Sequence, residues 1–163
     1  MRVIFIFIFL ISNFLINAQC SDLIKLRDIY MLSQSDIKSC IRLNNLTKSC
    51  DSNLEPVQYS YNIISDLMLC NFTLNPYTKY KIFKNSIKKL DRMIILNPQY
   101  TEIRFLRYLV QLNSPKILGY YTHIENDYKL IMTNINSENE DLQNFISTII
   151  NNINNARTSS TSQ

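Results

Sequence analysis

Two arginines lie in a stretch that is otherwise apolar, and they are the residues best suited to chemistry. Arg104 and Arg107 are one helical turn apart and follow Glu102. A guanidinium presents a rigid fork of donors, so the pair could bind an anionic ligand or a carboxylate of a partner protein. The structural alternative is an internal ion pair with Glu125 or Asp127. We favour this alternative because buried arginines are normally paired.

One loop carries a second candidate site, formed by Tyr120, Tyr121 and His123. Aromatic side chains in a loop can line a ligand pocket, but closing the end of a helical core is the favoured interpretation. A small-ligand site or an unrecognised hydrolase would draw on four residues: Arg104, Arg107, Glu125 and His123. No serine or cysteine lies beside His123 in the sequence to act as a nucleophile. The sequence therefore leans away from an enzyme and predicts no catalytic residue and no cofactor.

The four cysteines are the remaining reactive side chains, at Cys20, Cys40, Cys50 and Cys70. They allow three disulfide connectivities, and an exported chain can form disulfides. We predict the pair Cys40–Cys50, because the segment between them spans the end of a predicted helix and the following linker. Cys20 is an alternative site of lipid attachment. The lack of a CxxC motif and the single histidine argue against a metal site.

Two amphipathic helices position the candidate residues, and each is preceded by an Asn-Pro pair. The first follows Asn75-Pro76 and the second follows Asn97-Pro98, with Thr101 predicted to cap the second helix. The apolar stripe of the first has the spacing of one helical face, at Phe83, Ile87, Leu90 and Ile94. A short connection makes the two an antiparallel hairpin. The same periodicity elsewhere predicts about seven helices in an all-α domain.

The segment Leu96-Asn97-Pro98, followed by a new helix, resembles the boundary between tetratricopeptide units. In those units one helix ends on an amide or acidic residue and a proline before the next repeat begins. The resemblance implies antiparallel hairpins arranged in a tetratricopeptide-like stack. It concerns the fold alone.

Five short blocks lie between Asn75 and Asp127: Asn75-Pro76-Tyr77, Glu102 to Tyr108, Ser114-Pro115, Leu118-Gly119-Tyr120 and Ile124-Glu125-x-Asp127. They resemble the signature blocks of a family of small, secreted bacterial helical proteins. The resemblance spans about residues 61–135, which is under half of the chain. It implies a helical fold and export from a bacterial cell, and it carries over no catalytic residue.

The composition narrows the classes of protein to consider. The chain has 163 residues, of which 46% are apolar, enough for one domain with a substantial core. A single glycine argues against phosphate loops and nucleotide fingerprints, which need glycine at tight turns. The net charge is +4, and it falls to +3 without Arg2. That charge is too weak to predict a nucleic-acid partner.

Residues 1–18 have the pattern of a secretory signal peptide. Arg2 supplies a positive start, Val3 to Ile11 is continuously apolar, and Ile16 and Ala18 suit a cleavage site. A retained membrane anchor is the alternative. The predicted organisation is a signal peptide (1–18), a single helical domain (19–155) and a disordered tail (156–163).

Taken together, these patterns predict an exported, non-enzymatic helical protein, periplasmic or extracellular, that acts through contacts with an unknown protein partner. Helical hairpins offer extended faces for such contacts. The first alternative is the small-ligand site or hydrolase described above. The second is a membrane-anchored structural protein, held by the N-terminal segment or by a lipid on Cys20.

Overall fold

A computed structural model describes residues 20–161, and this part of the chain contains seven α-helices, two 3-10 turns and no strand. The predicted all-α fold class is confirmed. The predicted signal peptide, residues 1–18, lies outside the described residues. The helices are α1 (Leu23–Ser33), α2 (Ile37–Thr47), α3 (Pro56–Cys70), α4 (Pro76–Leu96), α5 (Thr101–Asn113), α6 (Ile124–Asn134) and α7 (Glu140–Thr161). The 3-10 turns are Lys116–Leu118 and Ile135–Ser137.

Local sequence signals explain where several helices begin and end. The side chain of Asp36 accepts hydrogen bonds from the backbone at the start of α2, and Asn75 does the same for α4. Pro76 occupies the first turn of α4, where a missing N–H costs nothing. That helix ends at Leu96, two residues before Pro98. Thr101 does not cap α5 as predicted, since Tyr100 holds that position without a side-chain bond.

Neighbouring helices pack against each other along the chain, and α5 lies at the centre of the packing. It contacts α3, α4 and α6. One continuous cluster of buried apolar residues includes members from all seven helices. Its most deeply buried side chains include Leu26, Leu43, Tyr61, Leu90, Phe105, Ile131 and Ile146. Because α5 is apolar on most of its circumference, it is buried from several sides at once.

The structure corrects the predicted C-terminal tail. Helix α7 continues to Thr161, so the segment after Asn155 is helical, not disordered, as far as the structure describes it. The apolar face of α7 ends near Ile153, and the residues from 154 to 159 are all exposed. No glycine or proline interrupts them, and the hydroxyls of Thr158 and Ser159 donate to the Asn155 carbonyl. Backbone and side-chain hydrogen bonds therefore extend the helix beyond its packed face.

The predicted Cys40–Cys50 disulfide is also replaced by a different pairing. Cys50 is bonded to Cys20, with 5.5 Å between their Cα atoms, and this bond ties the start of α1 to the α2–α3 connection. Cys40 lies two helical turns before the end of α2, about 10 Å along the axis from Thr47. Since a disulfide needs Cα atoms within about 7 Å, the helix keeps Cys40 out of reach of Cys50.

Within the described residues, no helix combines the length and apolar character needed to cross a membrane.

Candidate functional site

Helix α5 holds the predicted polar residues in two separate buried clusters. In the first, Glu102 accepts two parallel hydrogen bonds from Arg27 of α1, from Nε to Oε1 at 2.8 Å and from Nη2 to Oε2 at 2.7 Å. The hydroxyl of Tyr61, on α3, donates to Oε1 at 2.7 Å. All three side chains are buried. We call these residues the Glu102 cluster, and they join α1, α3 and α5.

Two members of the Glu102 cluster, Arg27 and Tyr61, have a raised pKa. Burial alone would lower the pKa of Arg27, but the hydrogen bonds and charge of Glu102 outweigh it, and the net pKa is raised. Burial raises the pKa of Tyr61 well above its ordinary value, and the nearby Glu102 carboxylate adds to the effect. The guanidinium of Arg27 also lies 6.0 Å from the centre of the Phe145 ring. Both oxygens of the Glu102 carboxylate are therefore engaged by partners within the protein.

The second cluster is centred on Asp127 of α6, whose side chain is fully buried. Arg107 donates to both carboxylate oxygens, from Nε at 2.8 Å and from Nη2 at 2.7 Å. Arg104 donates to Oδ1 at 3.1 Å, and Gln111 donates to Oδ2 at 3.0 Å. The structure thus pairs both arginines with Asp127, and Glu125 is exposed on another side of the helix.

The cluster extends to α4 and to the loop after α5. Arg107 donates a further bond, 3.1 Å long, from Nη1 to Oδ1 of Asp91. The hydroxyl of Tyr120 donates to the same oxygen at 2.8 Å, and its ring packs edge-on against Phe83. Burial raises the pKa of Tyr120 far above its ordinary value, and the charge of Asp91 raises it further. We call this set the Asp127 cluster; its members are Asp91, Arg104, Arg107, Gln111, Tyr120 and Asp127.

The charges of the Asp127 cluster balance each other, and its charged residues do not line the two cavities described below. Its two guanidinium groups face two carboxylates, and each oxygen of Asp127 accepts two hydrogen bonds. Neither cavity described below is lined by Asp91, Arg104, Arg107 or Asp127. An incoming anion would have to displace a buried carboxylate from Arg107. Such an exchange would leave a buried charge unpaired, which costs several kcal/mol.

The three loop candidates do not converge on one site. Tyr120 is buried in the Asp127 cluster, whereas Tyr121 and His123 are exposed. The backbone N–H of His123 donates to Oε1 of Gln111 at 2.9 Å, which anchors the loop to α5. Gly119 adopts a positive φ of 69°, which a glycine tolerates without strain. His123 and Glu125 are exposed, whereas the guanidinium groups that the hydrolase alternative would combine with them are bonded to Asp127.

The structure also shows a groove of about 710 Å³ that is lined mainly by apolar residues. Helices α1 to α5 and the loop after α5 all contribute residues to its walls. Its rim carries exposed apolar side chains, with Phe72 at 55%, Tyr80 at 49% and Ile117 at 92% exposure. Leu74 and Tyr77 continue the exposed apolar surface between Phe72 and Tyr80 along the chain. We call this feature the apolar groove.

Two smaller features are a second cleft and a group of possible metal ligands. A cleft of about 260 Å³ between α1 and α7 is lined by residues that include Arg27, Asp28 and Asp141. Near the N-terminus, the possible ligand atoms of Cys20, Cys50 and Glu55 lie within 4.8 Å of one another. The two sulfurs are joined to each other, so neither is available to a metal ion. One oxygen of Glu55 accepts a hydrogen bond from the backbone N–H of Cys20 at 2.9 Å.

Sequence reasoning missed four members of these clusters and the apolar groove. Arg27 is three residues before Tyr30 and one after Leu26, which places it on the core side of α1. Asp91 follows Leu90 on the inner side of α4 in a similar way. These positions inside apolar stripes were the available signals. Tyr61 and Gln111 had no such signal, because a tyrosine or a glutamine beside apolar residues carries no charge that would require a buried partner.

Comparison of the chain with protein-family models, with curated proteins and with solved structures gives no match. The resemblance to secreted bacterial helical proteins, and the finer likeness to tetratricopeptide units, therefore stay predictions.

Proposed function

We propose that this chain is an exported, non-enzymatic helical protein that binds a protein partner in the apolar groove. The observation that supports this proposal is the combination of a large groove with exposed apolar side chains around its rim. Single exposed apolar residues are common on proteins, but several of them around one groove are typical of an interaction site. The apolar face of a partner helix or an extended segment would bury Phe72, Tyr80 and Ile117.

Helix packing gives the groove a rigid base. Phe83 and Tyr120 pack edge-on near the groove with 6.1 Å between ring centres, and Tyr120 is held by Asp91. The Asp127 cluster thereby supports one wall from behind, without contributing to its lining. A preformed groove loses less conformational freedom on binding than a flexible surface, which favours affinity.

An enzymatic role has weaker support, since the groups that would do chemistry already bind each other. Arg104 and Arg107 are engaged by Asp127, and His123 and Glu125 are exposed elsewhere. A hydrolase would need these side chains to meet around a substrate. The arrangement favours a role for the arginines in holding α4, α5 and α6 together.

Export is supported by two features of the N-terminal region. Residues 1–18 have the pattern of a cleaved secretory signal. The Cys20–Cys50 bond fits an oxidising compartment, where disulfides persist. The same bond occupies the sulfur of Cys20, which disfavours lipid attachment at that residue. We therefore propose a periplasmic or extracellular location without a lipid anchor. The intact mass of the exported protein tests this proposal, because a lipid or a retained signal peptide would increase the mass.

The groove proposal is tested by capture experiments with matched variants. The mature protein is immobilised and incubated with periplasmic and outer-membrane fractions of the producing cell. The variants Tyr80→Asp and Ile117→Asp alter the rim, while Ile95→Asp alters an exposed residue, 76% accessible, at the far end of α4. All three positions are exposed, so we expect all three variants to fold.

We expect the wild type and Ile95→Asp to retain the same protein, and both rim variants to lose it. The proposal is wrong if no protein is retained, or if the rim variants retain it as well as the control does. Identification of the retained protein by mass spectrometry then names the partner.

A further inference from the structure

Two cysteines remain after the Cys20–Cys50 bond is assigned, and both lie beside the apolar groove. Cys40 is on α2 and is 1% exposed, and Cys70 is the last residue of α3 and is 4% exposed. Both contribute to the lining of the groove. The packing of α2 against α3 determines how close these two thiols lie.

Three contacts fix how α2 and α3 are aligned. Asn62 Nδ2 lies 3.4 Å from Thr47 Oγ1, and Asn44 Nδ2 donates to Ser65 Oγ and to Asp66 Oδ1, both at 2.9 Å. Residue numbers rise along α3 as they fall along α2, so the two helices are antiparallel. Each step of one turn along α2 matches a step of one turn along α3.

The next turn of this alignment contains the two cysteines. Cys40 is four residues before Asn44, and Cys70 is four residues after Asp66. Residues four apart lie on the same side of a helix, one turn further along its axis. The alignment therefore places Cys40 and Cys70 at the same level of the α2–α3 interface.

We propose that Cys40 and Cys70 form a second disulfide, which joins α2 to the end of α3 at the wall of the apolar groove. Each thiol now makes one weak contact, from Cys40 to the Ser33 carbonyl at 3.0 Å and from Cys70 to the Lys79 carbonyl at 3.7 Å. Both contacts are lost when the side chains rotate towards each other. Because Cys70 ends α3, its backbone can shift without breaking the middle of the helix.

The reaction is a thiol–disulfide exchange with a disulfide-containing oxidant, such as a protein oxidase or oxidised glutathione. One cysteine, as its thiolate, attacks the oxidant and forms a mixed disulfide, releasing one thiol of the oxidant. The other cysteine then attacks the mixed disulfide, which forms the Cys40–Cys70 bond and releases the second thiol. Two electrons pass to the oxidant, and the two protons lost by the cysteines end on its thiols.

Two properties of the site shape the rate of this reaction. Burial raises the pKa of both thiols, which lowers the fraction of reactive thiolate at neutral pH. That fraction grows as the pH rises. Both residues border the groove, so the groove is the side from which an oxidant reaches them. Formation of the bond is therefore expected to speed up with increasing pH, and a partner bound in the groove would slow it.

Peptide mapping of the purified mature protein tests the proposal directly. The protein is incubated with oxidised glutathione, denatured in the presence of an alkylating reagent and digested without reduction. We expect mass spectrometry to find a Cys40–Cys70 linked peptide beside the Cys20–Cys50 peptide. The proposal is overturned if Cys40 and Cys70 are alkylated, if either keeps glutathione, or if the four cysteines pair in another way.

Thermal unfolding provides the second measurement. Closing a loop across 30 positions restricts the unfolded chain, so oxidation should raise Tm by roughly 5 to 10 °C. Cys40→Ser and Cys70→Ser are the matched controls, and their Tm should not respond to the oxidant. An equal rise in Tm in these controls would contradict the assignment. If a serine variant does not fold, the peptide map of the wild type still decides. The inference does not rest on the proposed partner, because neither measurement involves one.

Discussion

At the scale of single residues, two buried threonines illustrate what a hydroxyl contributes. Thr101 is 2% exposed, and its Oγ1 finds no hydrogen-bond partner among the described residues. Thr47 is fully buried too, but its hydroxyl donates to the Leu43 carbonyl at 2.8 Å. A buried hydroxyl without a partner loses its bonds to water and gains none in return. The same substitution should therefore have opposite effects at the two positions.

We predict that Thr101→Val raises the free energy of unfolding by about 1 to 2 kcal/mol, because valine keeps the shape and removes the unsatisfied group. Thr47→Val should lower it by about 1 to 2 kcal/mol, because a satisfied hydrogen bond is lost. Urea unfolding of both variants measures the two effects. A loss of stability in Thr101→Val would show that its hydroxyl has a partner.

The second residue-scale prediction concerns Arg107, which is 6% exposed and binds the fully buried Asp127. Arg107→Met should cost about 3 to 5 kcal/mol, because it leaves a buried carboxylate short of two donors. Arg107→Ala should cost a further 1 to 2 kcal/mol or so, since it also removes the packing of the aliphatic stem. Urea unfolding separates the two contributions.

Asp127→Asn supplies the control for the Arg107 pair. In that background the buried charge is gone, so Arg107→Met should cost less than it does in the wild type. If Arg107→Met and Arg107→Ala are both as stable as the wild type, the Asp127 cluster has no structural role, and the ligand-binding interpretation of the arginines regains support.

The two buried acids, Asp127 and Glu102, show which ion-pair partners could be predicted from the sequence. Asp127 was predicted as a partner of the arginines, with Glu125 as the other choice, because buried arginines are normally paired. Glu102 was grouped with the same arginines, yet it faces Arg27, 75 positions earlier in the chain. Neighbouring residues on a helix point about 100° apart, so Glu102 and Arg104 leave α5 on different sides. Which distant helix covers each side is decided by tertiary packing, which no local spacing reveals.

At the scale of helices, the start of α4 depends on a specific cap. The side chain of Asn75 accepts hydrogen bonds from Tyr77 N at 3.0 Å and Thr78 N at 3.1 Å. We predict that Asn75→Ala lowers the free energy of unfolding by about 1 kcal/mol and that Asn75→Asp retains most of the stability. Tyr100→Ala is the matched control, because Tyr100 holds the same position before α5 without a side-chain bond. Thermal or urea melts would refute the cap if Asn75→Ala and Asn75→Asp were equally stable.

Helix boundaries were predictable where a proline defines them, whereas the predicted cap of α5 at Thr101 was wrong. Pro98 follows the end of α4 as the sequence indicates, and α4 itself begins at Pro76, inside the Asn-Pro pair that was predicted to precede it. The end of α7 was not predictable in this way, because no breaker follows Ile153 and the loss of apolar residues alone does not stop a helix. The cysteine pairing also escaped prediction, since it depends on which helix ends meet in space.

For the whole molecule, α5 connects two buried polar clusters on different sides of one core. The Glu102 cluster joins it to α1 and α3, and the Asp127 cluster joins it to α4 and α6. Each cluster balances its charges with hydrogen-bonded partners, so burial is tolerated. This arrangement fixes the order of the helices around α5 and leaves the apolar groove as an open surface. The groove could not be predicted from sequence, because five helices and a loop build it together.

The buried tyrosines give the whole molecule a characteristic response to alkaline pH. Burial raises the pKa of Tyr30, Tyr61, Tyr108 and Tyr120, and Tyr61 and Tyr120 are raised further by neighbouring carboxylates. In the unfolded chain each ionises near pH 10. Above that pH the unfolded state binds fewer protons than the native state, so stability decreases as the pH rises. Below about pH 10 the contribution of these residues is fully present.

We therefore predict that these tyrosines do not change the free energy of unfolding up to about pH 10 and lower it above that pH. Each tyrosine that stays protonated in the native state contributes a slope of about 1.4 kcal/mol per pH unit. Urea unfolding between about pH 8 and pH 11 measures the slope. Tyr30→Phe, which removes one buried hydroxyl, should make the decline shallower, whereas Tyr121→Phe changes an exposed side chain and serves as the control. A decline of equal steepness in wild type and Tyr30→Phe would show that Tyr30 ionises as readily in the folded protein as in the unfolded chain.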